Sequence, residues 1–284
     1  MKYLDHDWCG FQWTDWIPLT QDQDSFSKIP AEPGLFRVKS LGDSALVYIG
    51  QTGRSLKERT RTLRNSTFSE KMPYDDPHTE SPCLWAHRIE SGMDYEISVT
   101  HQDKSKEERM AIECFLLWQY RVEKGSSTLC NHGRFHPRFT KSKNRKRGVR
   151  GEPLEDGKMN ARGGESFPPL LPSGSMESQR WMSLDWSEWE ELSLGNIQKI
   201  PTQPGVYRIY DSERREMLYL GESSNLRMRI QSHSRRGWEP NAVFCYHSLP
   251  KSLSEYQRME IENDLIGGYY LERVEAPRFQ FGKK

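Results

Sequence analysis

No stretch of this 284-residue chain comes near the ~18 consecutive apolar residues that a membrane-spanning helix needs. Its first ten residues, MKYLDHDWCG, carry acids where a secretion signal carries basic and then apolar residues. Membrane insertion and secretion are therefore excluded as readings, and a cytoplasmic chain is expected. Cysteine is sparse as well. The five thiols (Cys9, Cys83, Cys114, Cys130 and Cys245) are odd in number, scattered and never spaced as C-x-x-C. That excludes a disulfide framework or a zinc ribbon built on paired spacings. Reduced thiols in buried or incidental roles are expected. Net charge is almost absent, at +1. What the chain has in quantity is aromatic: 11% Phe, Trp and Tyr, with nine Trp, beside 35% hydrophobic and 29% charged residues. Such a chain is polar, with a mean hydropathy of −0.86, but too rich in rings to be disordered. Its length is about twice that of an ordinary domain, so two domains are expected.

The small net charge hides a gradient. Residues 1–133 hold 16 Lys and Arg against 20 Asp and Glu, residues 134–180 hold 11 against 5, and residues 181–284 hold 14 against 15. The middle segment opens with RFHPRFTKSKNRKRGVRG, eight basic residues and no acid. Such a run stays solvated as a linker or meets a polyanion. The interleaved Phe135, His136 and Phe139 favour nucleic acid, because rings can pack on sugars or bases beside phosphate contacts. The basic residues expected to make those contacts are Lys141, Lys143, Arg145, Lys146, Arg147 and Arg150.

The chain also repeats itself. Residues 29–50 read IPAEPGLFRVKSLGDSALVYIG and residues 200–221 read IPTQPGVYRIYDSERREMLYLG, at a constant offset of 171. WTDWIPL at 13–19 has a looser echo in WSEWEEL at 186–192. EERMAIECFLL at 107–117 resembles EYQRMEIENDLI at 255–266, now at offset 149. The first copy therefore carries about 22 extra residues between these blocks. Two related domains of unequal length account for the pattern.

Alternation predicts a hairpin over 35–40 and 45–50 with Gly42 and Asp43 in its turn, then a basic helix over 55–64. A strand over 94–101 and a long helix over 104–124 follow. The second copy has strands over 205–210 and 217–221, a helix over 224–235, a strand over 242–248 and a long helix over 252–272. Residues 151–179, rich in Gly, Pro and Ser, read as a flexible linker. The expected organisation is a first domain over 1–133, a basic segment and linker over 134–180, and a second domain over 181–284. The fold class is α+β, each domain a short antiparallel sheet flanked by helices.

The ordered set GLF…VYIG and GVY…LYLG, each followed by an Arg and later by a helical Glu, resembles the GIY-YIG nuclease superfamily. The resemblance covers about 34–131 and 205–281. It implies a phosphodiester-hydrolysing site in each copy, beside the plainer reading of Tyr48 and Tyr219 as hairpin core aromatics. On the nuclease reading those phenols lie near a phosphate, where they activate water or bond a phosphoryl oxygen. Arg229 stands eight positions past Gly221 and Arg59 nine past Gly50, each implied to grip two oxygens of a phosphorane. The neighbouring Arg61, Arg64, Arg235 and Arg236 read as a solvated helix face. His233, four residues past Arg229 on the same helix face, is implied to help Tyr207 and Tyr219 act as a base. The first copy has Leu63 there, and Phe36 in place of Tyr207, so its site is altered. Glu113 and Glu262, matched at offset 149, are implied to hold a divalent metal, Mg²⁺ or Mn²⁺. Glu260 is a competing choice for Glu262, and an ordinary ion pair is the alternative role for both. Asn131 closes the first site, and Gln280, at the same 18-residue step from Glu262, replaces it in the second.

The function expected on this basis is a metal-dependent DNA endonuclease acting in restriction or defence. Double-stranded DNA is its expected partner, and it works as a monomer of two pseudo-symmetric domains or as a dimer of these. Two alternatives stay open: a repair endonuclease that nicks one strand, and a non-catalytic nucleic-acid binder with decayed sites.

Overall fold

The computed structural model describes residues 1–19, 24–76, 79–235, 238 and 241–282. Arg236 lies outside them. The first repeat opens with the two-residue strand β1 (Ile17–Pro18). The expected hairpin follows as β2 (Gly34–Ser40) and β3 (Leu46–Thr52), and then helix α1 (Leu56–Thr67). Ser55 caps α1 by accepting from the Glu58 N–H at 3.1 Å. Helix α2 (Ser81–Ser91) is not foreshadowed by the repeat; it lies in the extra residues of the first copy. Strand β4 (Tyr95–His101) and the long helix α3 (Lys106–Lys124) come next.

The second repeat has the short strand β5 (Glu190–Glu191), helix α4 (Leu194–Lys199), strands β6 (Gly205–Asp211) and β7 (Glu216–Ser223), and helix α5 (Leu226–Ser234). Strand β8 (Ala242–Ser248) and helix α6 (Glu255–Arg273) close it. A reciprocal Ser254–Gln257 capping box starts α6.

Both sheets are four-stranded and antiparallel, in the orders β1-β4-β2-β3 and β5-β8-β6-β7. The fold is therefore α+β, with two small sheet-plus-helix assemblies. Even the irregularity repeats: the β2/β3 register shifts between Val38 and Lys39, and the β6/β7 register between Ile209 and Tyr210. The chain divides into two compact units. Met1–Arg109 and Glu123–Ser166 form one, and Met110–Val122 and Phe167–Lys284 the other.

Side chains alternate across a strand, so Phe36 and Arg37 point to opposite faces of the first sheet. Arg37 is fully buried, its guanidinium 4.4 Å from the Trp13 ring centre, 4.9 Å from Trp16 and 5.8 Å from Trp8. It donates to the carbonyls of Tyr3 (2.6 Å) and Asp5 (2.9 Å). Arg208 repeats this on the second sheet, 4.0 Å from Trp186, 4.7 Å from Trp189 and 5.5 Å from Trp181, donating to the Met176 carbonyl at 2.7 Å. The indoles are locked in turn: Trp13 donates to the Trp8 carbonyl at 3.1 Å and Trp186 to the Trp181 carbonyl at 3.0 Å. Burial lowers both guanidinium pKa values, that of Arg37 to about 9, so Arg37 stays charged at neutral pH. The loose WxxW echo thus marks an arginine cage that ties each N-terminal arm to the back of its sheet.

The basic segment differs from expectation. Phe135, His136 and Phe139 are buried, and the two Phe belong to the core of the first unit, where Phe139 meets Trp85 edge-on at 6.0 Å. They are therefore not available to stack on bases. The run doubles back on itself, Lys143 N–H bonding the Val149 carbonyl at 3.0 Å and Thr140 N–H the Glu152 carbonyl at 2.9 Å. Downstream, Leu170 and Met176 are buried in the core of the second unit. Arg64 is another correction: it is buried, not solvated, 5.3 Å over the Phe26 ring and bonded to Asn65, while Arg61 and Arg235 are exposed.

Within the second unit, the 110–122 stretch of α3 packs on α6 through equivalent positions. Asn263 donates to the Cys114 carbonyl at 3.1 Å, and a Cβ on Gly267 would lie 2.8 Å from the Trp118 Cβ. Arg121, fully buried, donates to both oxygens of Asp264 at 2.8 and 3.1 Å and sits 3.4 Å from Glu260. Glu260 also accepts from the Phe167 N–H at 2.7 Å. That network occupies the carboxylate that competed with Glu262 for a metal.

The cage generates a prediction. Arg208→Leu removes a desolvated cation–π contact and leaves buried carbonyls without their charged donor, which together cost about 3–5 kcal/mol. Urea unfolding followed by Trp fluorescence reads this loss. A change below ~1 kcal/mol would mean that the cage is ornamental to folding.

Candidate active site

The site of the second copy begins with β6 and β7, the paired strands that set Tyr207 opposite Gly221. A Cβ on Gly221 would come within 2.4 Å of the Tyr207 hydroxyl oxygen. The glycine of LYLG is thus required by the close passage of a ring. Tyr207 is buried, and its hydroxyl shares a 2.7 Å hydrogen bond with Nε2 of His233, itself buried on α5. The tautomer of His233 decides which atom donates. Tyr219, half-buried on β7, stacks on Tyr207 with ring centres 6.1 Å apart and lies 5.0 Å from the His233 ring. Trp238 covers the other side, donating to the His233 carbonyl at 2.6 Å.

Arg229 shares α5 with His233, and Glu262 lies on α6. Arg229 is exposed on α5. Glu262, on α6, has its carboxyl pKa pushed up to about 8, chiefly by burial and then by Glu222; Arg229 and a hydrogen bond from the Glu222 backbone oppose the rise. Glu222 is a residue that the sequence reading missed. It follows Gly221 directly and accepts from Arg258 at 2.8 Å. The first copy has Gln51 and Arg109 in those places, bonded at 3.3 Å. The Gln51/Glu222 difference beside a repeated arginine was the signal available. Glu222 and Glu262 together form a partly desolvated pair of acids, whose mutual repulsion a hard divalent cation would relieve. The donor set fits such an ion.

In the first copy, Phe36 and Leu63 are both fully buried at the positions of Tyr207 and His233. A polar pair is replaced by an apolar pair, and no half of it is left behind. Tyr48 stays beside Phe36, ring centres 5.8 Å apart. Arg59 forms an ion pair with Glu80, a buried carboxylate at the start of the inserted helix α2. Burial raises the Glu80 pKa and Arg59 opposes the rise. The insertion thus supplies a protein carboxylate to the arginine expected to meet phosphate. Glu113 stands half-buried on the stretch of α3 that belongs to the second unit.

Asn131 and Gln280 have a role that their spacing did not disclose. The Asn131 amide donates to the Ile49 carbonyl at 2.8 Å and accepts from the Ile49 N–H at 3.0 Å. Gln280 makes the same two bonds to Leu220, each at 2.9 Å. Each amide clamps the backbone between the second tyrosine and the glycine, and the additional methylene of Gln280 does not disturb the geometry. Of the basic residues, Lys143, Arg145, Lys146 and Arg147 are exposed, while Lys141 and Arg150 are half-buried. Arg150 is engaged by the Met72 carbonyl and the Tyr74 ring.

Over 71 residues the chain is 30% identical to the UvrABC system protein C of Hyphomonas neptunium (strain ATCC 15444). The link to the GIY-YIG superfamily is distant. The match covers 25% of this chain and 11% of the relative's own length, so it does not bear on a second copy. No family model and no solved structure matches. No helix among the described residues is long and apolar enough to cross a membrane.

The Tyr207–His233 pair can be tested against its apolar counterpart. His233→Leu alone removes the buried Tyr207 hydroxyl's bond to Nε2, at a cost of about 1–3 kcal/mol beyond lost packing. Adding Tyr207→Phe, which recreates the first-copy pair, should recover about 1 kcal/mol or more in a double-mutant cycle of unfolding free energies. Strict additivity would remove the bond's energetic role.

Proposed function

We propose that the chain is a GIY-YIG-type DNA endonuclease whose working site is that of the second copy, cutting one strand at a time. The 2.7 Å bond between the Tyr207 hydroxyl and His233 Nε2 carries this reading, and the charge of Arg229 felt at the Glu262 carboxyl supports it. It gives a phenol a direct proton partner, which is what activation of water at a phosphodiester requires. His233 takes or returns the proton at Nε2, Tyr207 and Tyr219 orient the attacking water, and Arg229 holds non-bridging phosphoryl oxygens. Glu262, with Glu222 beside it, would hold Mg²⁺ or Mn²⁺. When bound, that ion supplies positive charge for the phosphoryl and leaving oxygens.

The single-strand reading rests on the first copy, where Phe36 and Leu63 stand at the positions of Tyr207 and His233 and Arg59 is paired with Glu80. A restriction role, with both strands cut by one chain, is the second reading. The presence of two copies favours it, and it requires Arg59 to leave Glu80. The exposed tip carrying Lys143, Arg145, Lys146 and Arg147 serves as the contact to the DNA backbone.

The test is supercoiled plasmid followed through nicked to linear forms. Wild type accumulates nicked circles with Mg²⁺ or Mn²⁺ and does nothing in chelator. His233→Ala slows nicking about 10²–10⁴-fold. Glu262→Gln stops it, and Glu113→Gln leaves it intact. Cutting by Glu262→Gln at the wild-type rate would sink the assignment. Direct linearisation that Glu113→Gln converts to nicking would establish the restriction reading instead.

Binding gives a separate measure of the tip. Replacing its four basic residues by Ala should flatten the slope of log K against log[salt] by about 0.9 per lost phosphate contact. An unchanged slope returns the tip to a solvated turn.

A further inference from the structure

We infer that Cys83, His87 and Cys130 form a zinc site in the first unit, separate from the acidic pair of the second. Cys83 and His87 are four residues apart on α2 and so share one helix face. Cys130 comes from the loop that leads into the Asn131 clamp. One ligand atom from each residue lies within 4.8 Å of the others, with both thiols buried and His87 half-buried. A tetrahedral zinc with bonds of ~2.3 Å to sulfur and ~2.0 Å to nitrogen has ligand–ligand edges of about 3.5–3.8 Å. Closing the set therefore takes about an ångström of side-chain rotation. In this structure the Cys83 thiol points its weak bond at the Leu129 carbonyl, 3.6 Å away.

Two observations set the cluster apart from thiols that merely fill a core. First, it exists only where the insertion does: the position equivalent to Cys130 at offset 149 is Phe279, and among the described residues the second copy has no counterpart of α2. Second, α2 is reached through residues 68–80, which among the described residues contain no helix or strand. A metal joining α2 to the clamp loop would hold Glu80 where it meets Arg59. Two sulfurs and an imidazole select zinc over the hard cations suited to Glu262. Binding displaces the two thiol protons to solvent.

His136 packs against His87 at 4.5 Å but accepts the Arg138 N–H on Nδ1. Its Nε2 therefore carries the ring's proton and is not a donor atom for metal. The fourth position is left to water on the half-exposed side of His87.

The experiment is elemental analysis of the full-length chain, purified with zinc under reducing conditions, together with Co²⁺ titration. One zinc per chain is expected, retained by Cys9→Ser and by Glu262→Gln and lost by Cys83→Ser and His87→Ala. Should those variants fail to fold, Co²⁺ added to metal-free wild type must develop the intense thiolate charge-transfer and visible bands of a tetrahedral site. Removal of zinc by a strong chelator should lower the melting temperature by several degrees. Zinc below about 0.1 per chain with no cobalt bands overturns the site. So does iron or copper in its place, a Cys83–Cys130 disulfide found by non-reducing mass analysis, or zinc retained by a folded Cys83→Ser. None of these readouts depends on nuclease activity.

Discussion

Two buried guanidinium groups hold the rest of the architecture in register. Arg37 and Arg208 are each neighbours in sequence of the residue that faces the site, Phe36 and Tyr207, and point the other way. A strand slip of one residue would exchange the two faces, placing the cation against the aliphatic core and the site ring among tryptophans. Neither exchange is tolerable, because a buried charge needs its carbonyls and ring faces while the core offers none. The cage on one face of β6 thus fixes where the Tyr207 hydroxyl sits on the other. The tryptophan-rich arms, polar in composition and poor in regular structure, become ordered because the arginine gives them something to surround.

On that common frame the two copies diverge in a coordinated way. Tyr–His in one, joined by a hydrogen bond at Nε2, is Phe–Leu in the other, both fully buried. Glu222 against Gln51 moves the same way: the copy with the hydroxyl and imidazole also has the second acid. The copy without them has Glu80, delivered by an inserted helix, on its arginine. Random decay leaves half-broken pairs. In the first copy both members of the pair are apolar and fully buried, which is the condition expected of a domain kept for its shape.

Much of this was legible in the residues. Period-two alternation and the aliphatic–Tyr–aliphatic–Gly pattern located β2, β3, β6 and β7 to within a residue or two, and helical spacing located α3 and α6. What escaped had physical reasons. Helix α2 begins Ser-Pro and has no partner among the described residues of the other copy, so no comparison within the chain exposes it. Strands β1 and β5 are two residues long and exist only as additions to β4 and β8. Phe135 and Phe139 were misread because a count of charges does not show which side chains of a basic run turn inward. The spacing of Asn131 and Gln280 revealed that an amide recurs but not that it faces backbone. Cysteine spacing excluded a ribbon, yet said nothing of thiols joined by a helix face and a distant loop.

The amide clamps have a consequence for how a chain with two similar sheets avoids mixing them. Strands β3 and β7 are sheet edges, and an edge with free N–H and C=O groups accepts any strand of matching register. A chain that carries the same hairpin twice offers itself that wrong partner during folding, the hazard common to tandem repeats. Asn131 and Gln280 each arrive a few residues beyond the long helix of their own copy and occupy the donor and acceptor at the centre of the edge. The neighbouring N–H groups of Cys130 and Phe279 take the next carbonyls, of Val47 and Leu218. Each sheet is sealed by chain that has just been laid down beside it, so exchange between copies is blocked at the edges by the same segment that completes each fold.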